Sequence, residues 1–417
     1  MLPKGWERST LGEIARIGSG GTPDRATPEY WGGEIPWVTT GEIQFNTITS
    51  TTETITEAGL QNSSAKRFPP GTLLMAMYGQ GKTRGQVAKL GIEATTNQAC
   101  AAILLQDGHE TDFYFQYLSS QYEAIRELGN AGTQQNLSGC ILKSVPVPVP
   151  PTNEQRRIAH FLSTWDQAIA TTERLLANSQ KQKQLLAQRM LTGKVRLHGF
   201  ATSGIRRETP YGSLPQDWGY RRIGEVAVEV SQKLGGASPY PVLSCTKHQG
   251  LVDSLSYFKK QIYSLDTSTY KVVPRGCFVY ATNHIDEGSI GHQDLYDFGL
   301  VSPMYTAFRV NDDVFDAYLF ALLKTEHYRQ IFASSTNASV DRRGSLRWKD
   351  FRNLHIPVPP IDEQKAIANV LTLAEREADF IKGQLELLRE EKAALMVQLL
   401  TGKRRVHLPD IDTEFQA

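Results

Sequence analysis

From Ile158 the inward-type positions recur in alternating steps of four and three: Ile158, Leu162, Trp165, Ile169, Thr172, Leu176, Ser179, Lys183, Leu186 and Met190. The pattern returns 209 residues later as Ile367, Leu371, Ala374, Ala378, Ile381, Leu385, Leu388, Lys392, Leu395 and Leu399. Alternating steps of four and three form the seam of a coiled coil, so the chain is expected to hold two long amphipathic helices. At about 1.5 Å per residue, the stretch from Asn153 to Leu191 makes a rod about 57 Å long. Lys183 and Lys392 interrupt the seam at the same repeat position. Their stems are expected to pack while the charges reach water, with a register-setting role as the alternative.

Outside the helices the period changes. Short apolar runs such as T-L-L-M-A-M-Y ending at Tyr78, A-A-I-L-L from Ala101 and C-F-V-Y-A from Cys277 are separated by Gly and Asn, the signature of strands and hairpins. One helix per module interrupts them, near Asp112 to Leu128 and near Asp316 to Ala333. Aligning Gly71 with Gly276 gives the two modules similar frames and different contents.

The duplication is wider than the seam. P-V-P-P-T-N-E-Q from Pro148 reappears as P-V-P-P-I-D-E-Q from Pro357, and the spacing holds without a gap to L-T-G-K at Leu191 and Leu400. L-P-K-G-W from Leu2 matches L-P-Q-D-W from Leu214. The proline runs ending at Pro151 and Pro360 are expected to end each module, since Pro has no N–H and holds its predecessor extended. Asn153 and Asp362 are plausible N-caps, and Gly193 and Gly402 stand where the helices would stop. The expected fold is α+β: two mixed, strand-dominated domains separated by two long helices that form an antiparallel coiled coil. Its segments are a first domain (1–151), a central helix (152–193), a linker (194–213), a second domain (214–360), a C-terminal helix (361–402) and a tail (403–417). A true internal two-fold would reverse one helix against the other and bring the C-terminal tail near Leu2, in a nearly circular arrangement.

Composition narrows the class only a little. With 417 residues, 40% of them hydrophobic, the chain can build two to four cores, and 45 Lys/Arg against 44 acids announce no particular partner. The first helical stretch, Asn153 to Leu197, carries eight Lys/Arg against three acids, whereas Asp362 to Val406 is balanced at eight and eight. Such unequal faces could pair across an interface, although charge on a helix is commonly a solvated face. Cys100, Cys140, Cys245 and Cys277 show neither zinc nor disulfide spacing and read as buried thiols in a reducing cytosol. No run approaches the roughly 18 apolar residues needed to cross a bilayer, and no signal peptide is apparent, so the cytoplasm is the expected location.

The order of module, P-P-x-x-E-Q helix ending in L-T-G-K, second module and second such helix resembles the specificity (S) subunit of type I restriction-modification systems over essentially the whole chain. I-P-W-V-T-T-G-E-I from Ile35 and P-V-L-S-C-T-K-H-Q-G-L from Pro241 look like that family's early strand and loop. The resemblance implies two target recognition domains, each reading one half of an asymmetric, bipartite site in double-stranded DNA. It implies helices that act as ruler and as dock for two modification (methyltransferase) subunits, with restriction (motor and nuclease) subunits as further partners. S-adenosylmethionine, ATP and Mg are then expected in the partners, with no cofactor or metal bound by this chain.

Candidate DNA contacts follow from this resemblance. Gln80, Lys82, Thr83 and Arg84 lie on a Gly-flanked hairpin, Gln suiting adenine and Arg guanine. Thr282, Asn283 and His284 occupy the corresponding place in the second copy. Gln134, Gln135 and Asn136, with Arg342 and Arg343, form a second pair of polar loops before the proline exits, and Thr39, Thr40, Thr246, Lys247 and His248 are weaker candidates. Each could equally be an ordinary polar turn, and most DNA hydrogen bonds go to phosphate. Glu154, Gln155, Glu363 and Gln364 read as helix starts that also meet the modification subunits rather than as catalytic carboxylates. Trp6 and Trp218 read as core anchors.

Ala76-M-Y-G-Q-Gly81-Lys82-Thr83 imitates a phosphate-binding loop, but such a loop needs a helix immediately after the lysine. Here Gly85, Val87 and Gly91 predict a strand. With no N-P-P-aromatic motif, glycine-rich cofactor loop or adjacent nucleophile and base, catalysis is expected in partners. The rival readings are a coiled-coil protein–protein adaptor without DNA specificity and an enzyme built on the Lys82 loop.

Overall fold

The computed structural model describes residues 3–79, 81–129, 136–200, 204–210, 212–236, 239–336 and 344–405. They fall into two compact units: unit 1 takes the chain up to Arg174 and again from Gly383, and unit 2 runs from Leu175 to Lys382. The units therefore do not stop at the prolines, as the segment boundaries read from sequence do. Each takes a part of both long helices, because a seam can be buried only where another helix and a domain core cover it.

The helices span Thr152–Met190 and Ile361–Leu399. All twenty seam positions are buried or half-buried. Within unit 1, Lys392 pairs with Asp166 at 2.6 Å and Arg389 with Glu173 at 2.6 Å, so the two helical segments run in opposite directions. Within unit 2, Lys183 pairs with Glu375. Each seam lysine thus reaches a carboxylate on the facing helix instead of water. Asp166 and Glu375 occupy the same repeat position, so each unit makes the same bond. Gln116, buried in the unit 1 core, also donates to Asp166 at 2.5 Å and ties the helix pair to the domain.

Unit 1 carries a five-stranded sheet in the order Ala15–Ser19, Cys100–Leu105, Leu73–Ala76, Val87–Leu90, Thr47–Ile48. A three-stranded sheet of Glu53–Ile55, Trp31–Val38 and Thr95–Thr96 forms a satellite core around Trp37. Unit 2 has a four-stranded sheet in the order Ala227–Val230, Tyr305–Val310, Phe278–Ala281, Ile290–His292, with hairpins beside it. Gly71 and Gly276 both turn the chain at positive φ, +85° and +84°, two residues before the Leu73 and Phe278 strands, so the aligned frames agree locally. The helix expected near Asp112 to Leu128 and that near Asp316 to Ala333 are each split in two, and shorter helices such as Gly139–Lys143 and Ser254–Phe258 accompany them. Thr111–Ser120 and Tyr122–Glu127 are separated at Gln121. Asp316–Leu323 ends before Thr325, whose hydroxyl caps a new helix, Glu326–Ser335, by accepting from the Tyr328 N–H.

The proline exits also differ from expectation. Pro146–Val149 and His355–Val358 are strands, paired antiparallel with Glu7–Thr10 and Gly219–Arg222. A two-stranded ribbon has edges on both sides, so a missing proline donor costs little there. The helices begin one residue earlier than the expected caps, at Thr152 and Ile361, with the Pro151 and Pro360 carbonyls accepting the N–H of Gln155 and Gln364.

At each joint the repeated residues build one clasp. In unit 1 the Trp6 indole N–H donates to Glu154 Oε2 at 3.0 Å, and Arg405 donates to both oxygens of that carboxylate. In unit 2 the Trp218 indole donates to Glu363 Oε2 at 3.0 Å, and Arg196 reaches Glu363 Oε1 and Oε2 at 2.8 and 2.7 Å. Gln155 donates to the Pro150 carbonyl and accepts the Glu110 N–H, while Gln364 does the same with Pro359 and Phe315. Glu154, Gln155, Glu363 and Gln364 are therefore buried and engaged inside their own units. That corrects their reading as a surface for partner subunits: a charge and an amide withdrawn from water must be satisfied, and here the satisfied group is the joint itself. Trp6 and Trp218 are buried as well.

The helices end as their sequence suggests. Gly193 and Gly402 have φ of +61° and +72°, and the N–H of Lys194 returns to the Arg189 carbonyl at 2.8 Å, closing a Schellman turn. A Cβ at either glycine would meet Pro215 Cγ at 2.4 Å or Pro3 Cγ at 2.3 Å, so the L-T-G-K turn is seated on the proline before each clasp tryptophan. In unit 1 this places Arg405 beside Lys4, whose carbonyl it reaches at 3.3 Å.

Candidate nucleic-acid interface

Leu73–Ala76 and Val87–Leu90 form an antiparallel hairpin, closed by Ala76 N–H to the Gln86 carbonyl at 3.0 Å and Gly85 N–H to the Ala76 carbonyl at 2.9 Å. The strand Val87–Leu90, not a helix, follows Lys82. Gly79, Gly81 and Gly85, at φ of +139°, +72° and +86°, supply the left-handed turns that the loop between the strands requires. The Tyr122 hydroxyl donates to the Lys82 carbonyl, and Arg126 donates to the Gly81 carbonyl. The loop is thus held by its backbone from the helix Tyr122–Glu127 beneath it, leaving the Lys82 side chain exposed and Thr83 half-buried.

Arg84 corrects the sequence reading. It is only 8% exposed, with its guanidinium turned to the Arg126 carbonyl at 3.4 Å, so it supports the loop from inside and does not reach a base. Gln80, Gln134, Gln135, Arg342 and Arg343 lie outside the described residues. Asn136 is half-buried, and next to it the Leu137 N–H bonds the Met77 carbonyl at 3.0 Å. The chain arriving from the second polar loop is thereby anchored beside the first.

Thr39 and Thr40 lie on the turn that leads to Phe45. The Thr39 N–H and hydroxyl donate to Glu42 Oε2 at 2.7 and 3.1 Å, capping the short turn Thr40–Glu42. That spends the Thr39 hydroxyl locally and puts a carboxylate beside it. Three residues on, Phe45 sits at φ +56° and is 37% exposed. Its ring stands edge-on to Tyr122, with centroids 5.3 Å apart. A bulky residue in the left-handed region costs about 1–2 kcal/mol. Sequence reasoning missed Phe45, although an aromatic between Gln44 and Asn46 in a polar turn was the available signal.

Unit 2 repeats the construction with other side chains. After Phe278–Ala281, the half-buried Thr282, Asn283 and His284 form a turn in which the Thr282 hydroxyl donates to the Met304 carbonyl at 3.1 Å and His284 Nδ1 lies 3.0 Å from Glu287. The Leu346 N–H bonds the Thr282 carbonyl at 2.8 Å, the counterpart of Leu137 on Met77. Thr246 closes the hairpin of Leu243–Thr246 and Gly250–Asp253 by donating to the Gly250 carbonyl at 3.0 Å, which leaves Lys247 and His248 exposed at its tip. Lys324 Nζ donates to the Lys247 carbonyl at 3.0 Å and the Gly288 carbonyl at 2.9 Å, tying tip and turn together. Burial lowers the pKa of this ammonium, and the nearby Cys245 opposes that shift.

A cavity of about 1040 Å³ in unit 2 is walled by residues that include Ala187, Leu191, Phe320 and Leu371. Of its polar lining, Lys183 is bound to Glu375 and Lys324 to carbonyls. Among the described residues no group of three His, Cys, Asp or Glu could hold a metal ion, and no helix is long and apolar enough to cross a membrane.

Comparison with known proteins places this architecture. The model of the type I restriction modification DNA specificity domain matches residues 3–178 and again 215–390. The MjaVIII specificity subunit of Methanocaldococcus jannaschii, a type I restriction enzyme component, is 23% identical over 97% of this chain and 94% of its own length. The MjaIX specificity subunit of the same organism is 28% identical, with the match spanning 54% of this chain and about half, 52%, of that relative. Among solved structures, the S subunit from M. genitalium superposes with a TM-score of 0.57 at 16% identity, covering 96% of both chains. A chain from a study of type I R-M complex assembly and conformational transition gives 0.59 at 18% identity, covering 97% of this chain and 100% of that one.

Proposed function

The chain belongs to the type I restriction-modification DNA specificity family, and from that premise we propose that it is the subunit that reads a bipartite, asymmetric DNA target, one half-site per unit. The observation that carries this reading is the repeated frame with unlike contents. The clasps, seam and loop anchors of the two units match, while the side chains on the anchored loops differ: exposed Lys82 and half-buried Thr83 in one, half-buried Thr282, Asn283 and His284 in the other, with exposed Lys247 and His248 on a neighbouring hairpin. Equal frames give equal docking on DNA, and unequal side chains give unequal base preference.

Catalysis belongs to partner subunits, which supply S-adenosylmethionine, ATP and Mg; the modification subunits dock on the helices. Two exposed apolar residues one heptad apart in unit 2, Leu373 at 63% and Phe380 at 66% exposure, support docking there. Their repeat counterparts in unit 1 are the exposed Thr164 and Thr171. Replacing both Leu373 and Phe380 by Ser is expected to weaken assembly with modification subunits at least tenfold, measured by sedimentation. The matching Ser changes at Thr164 and Thr171 should leave it unaltered.

Salt separates this reading from a protein-only adaptor. Binding of the assembled complex to its specific duplex should fall by about 10³–10⁵ between 50 and 200 mM salt if it neutralises 6–10 phosphates. Affinity independent of salt in a titration would remove DNA from the account.

A further inference from the structure

The described residues contain two non-glycine residues at positive φ, and only one has a routine explanation. Lys259 ends the short helix Ser254–Phe258 in the left-handed conformation that commonly terminates helices. Phe45 ends nothing. It stands at the tip of a turn whose other members are occupied: the Gln44 N–H donates to Asn46 Oδ1 at 2.9 Å, Gln44 Nε2 donates to the Gly41 carbonyl at 2.7 Å, and the Asn46 carbonyl accepts the Lys89 N–H at 2.9 Å. These bonds hold the backbone around Phe45 and leave its ring as the group the turn presents.

The ring is placed against the recognition loop. Its edge-to-face partner Tyr122 is the residue whose hydroxyl holds the Lys82 carbonyl, and a Cβ at Gly85 would lie 3.5 Å from the Tyr122 ring. Phe45 is still 37% exposed there, and the hairpin loop carries a second exposed aromatic, Tyr78, at 42%. Held strain at a solvent-facing position beside a binding loop is the pattern of a functional contact.

We propose that Phe45 is a specificity-determining residue of the half-site read by unit 1, making apolar contact with a base edge, the thymine methyl group above all, next to the polar contacts of the Lys82 loop. This rests on the DNA-reading function proposed above. Unit 2 presents a different apolar group beside its own loop, Met304 at 64% exposure, whose carbonyl accepts from Thr282.

The test uses the full chain assembled with its modification subunits and a randomised duplex library. Phe45→Gly removes the ring where glycine accepts the backbone without strain, so folding should be kept; Phe45→Asn, which also tolerates this conformation, serves if the glycine variant melts early. Both should flatten base preference at one or two adjacent positions of a single half-site and weaken binding about tenfold. It should be the same half-site that Lys82→Ala disturbs. Replacing thymine by uracil at the flattened position should weaken the wild type and leave Phe45→Gly unaffected. A folded variant with the wild-type preference at every position overturns the role of Phe45, as does loss spread over both half-sites. A wild-type complex that selects no sequence at all would instead remove the DNA-reading function, a distinguishable result.

Discussion

Replacing Glu363 with alanine is expected to destabilise unit 2 by about 3–5 kcal/mol, because it removes one of the two carboxylates that hold a buried guanidinium together with the acceptor of a buried indole. The Arg196 side chain is 7% exposed and Glu363 is fully buried, and the carboxylate accepts from Arg196 at both oxygens and from the Trp218 indole. Asp217, 2.8 Å from Arg196, would remain as its carboxylate partner. The equivalent change in unit 1, Glu154→Ala, should cost less, about 1.5–3 kcal/mol. There Arg405 is 41% exposed, so water can replace much of what the carboxylate gave. Urea unfolding followed by tryptophan fluorescence reads both, since Trp6 and Trp218 each lie in a clasp. Equal shifts for the two variants, or a shift below about 1 kcal/mol for Glu363→Ala, would show that the clasp does not hold the joint. Glu363→Gln keeps an acceptor for the indole and should fall between the wild type and the alanine variant.

The helices and the joints were legible in the sequence for different reasons. A seam is a local periodicity, and Ile158 to Met190 can be read without knowing what covers it. The clasp is not local. Glu154 stands in a repeated motif and looks like a helix start, but its partner Arg405 lies 251 positions away, so nothing near it in sequence announces burial. Separations of 192 and 226 positions hid the partners of the seam lysines in the same way, since an antiparallel pair can be expected without the register that sets Glu375 opposite Lys183. In the candidate loops, residue type located the hairpin turn but not which of its side chains face outward. Arg84 has the chemistry of a guanine reader, yet it faces inward, a direction set by the glycines around it and by Arg126. Phe45 was passed over because apolar residues are ordinarily assigned to cores, and its significance depends on a backbone angle that composition does not encode.

Inserting seven residues between Arg174 and Leu175, together with seven between Lys382 and Gly383, should lengthen the recognised spacer and leave both half-sites unchanged. These points divide the helices where the compact units divide, so each unit keeps every residue of its own core and clasp. Asp166 with Lys392 and Glu173 with Arg389 stay in unit 1, and Lys183 with Glu375 stays in unit 2. Seven residues are one heptad, so the seam continues on the same face, and about 10.5 Å of helix is added. At about 3.4 Å per base pair that is up to about three base pairs. Binding to the original target should fall more than about a thousandfold, because only one half-site can be engaged and each lost base pair costs about 1–3 kcal/mol. Five residues at the same points rotate the following helix by about 140°, turning Leu176 and Leu385 off the seam, and should give a chain that does not assemble. Library selection on the seven-residue variant decides the matter: altered half-site bases, or an unchanged spacer, would mean that the helices do not set the distance between the readers.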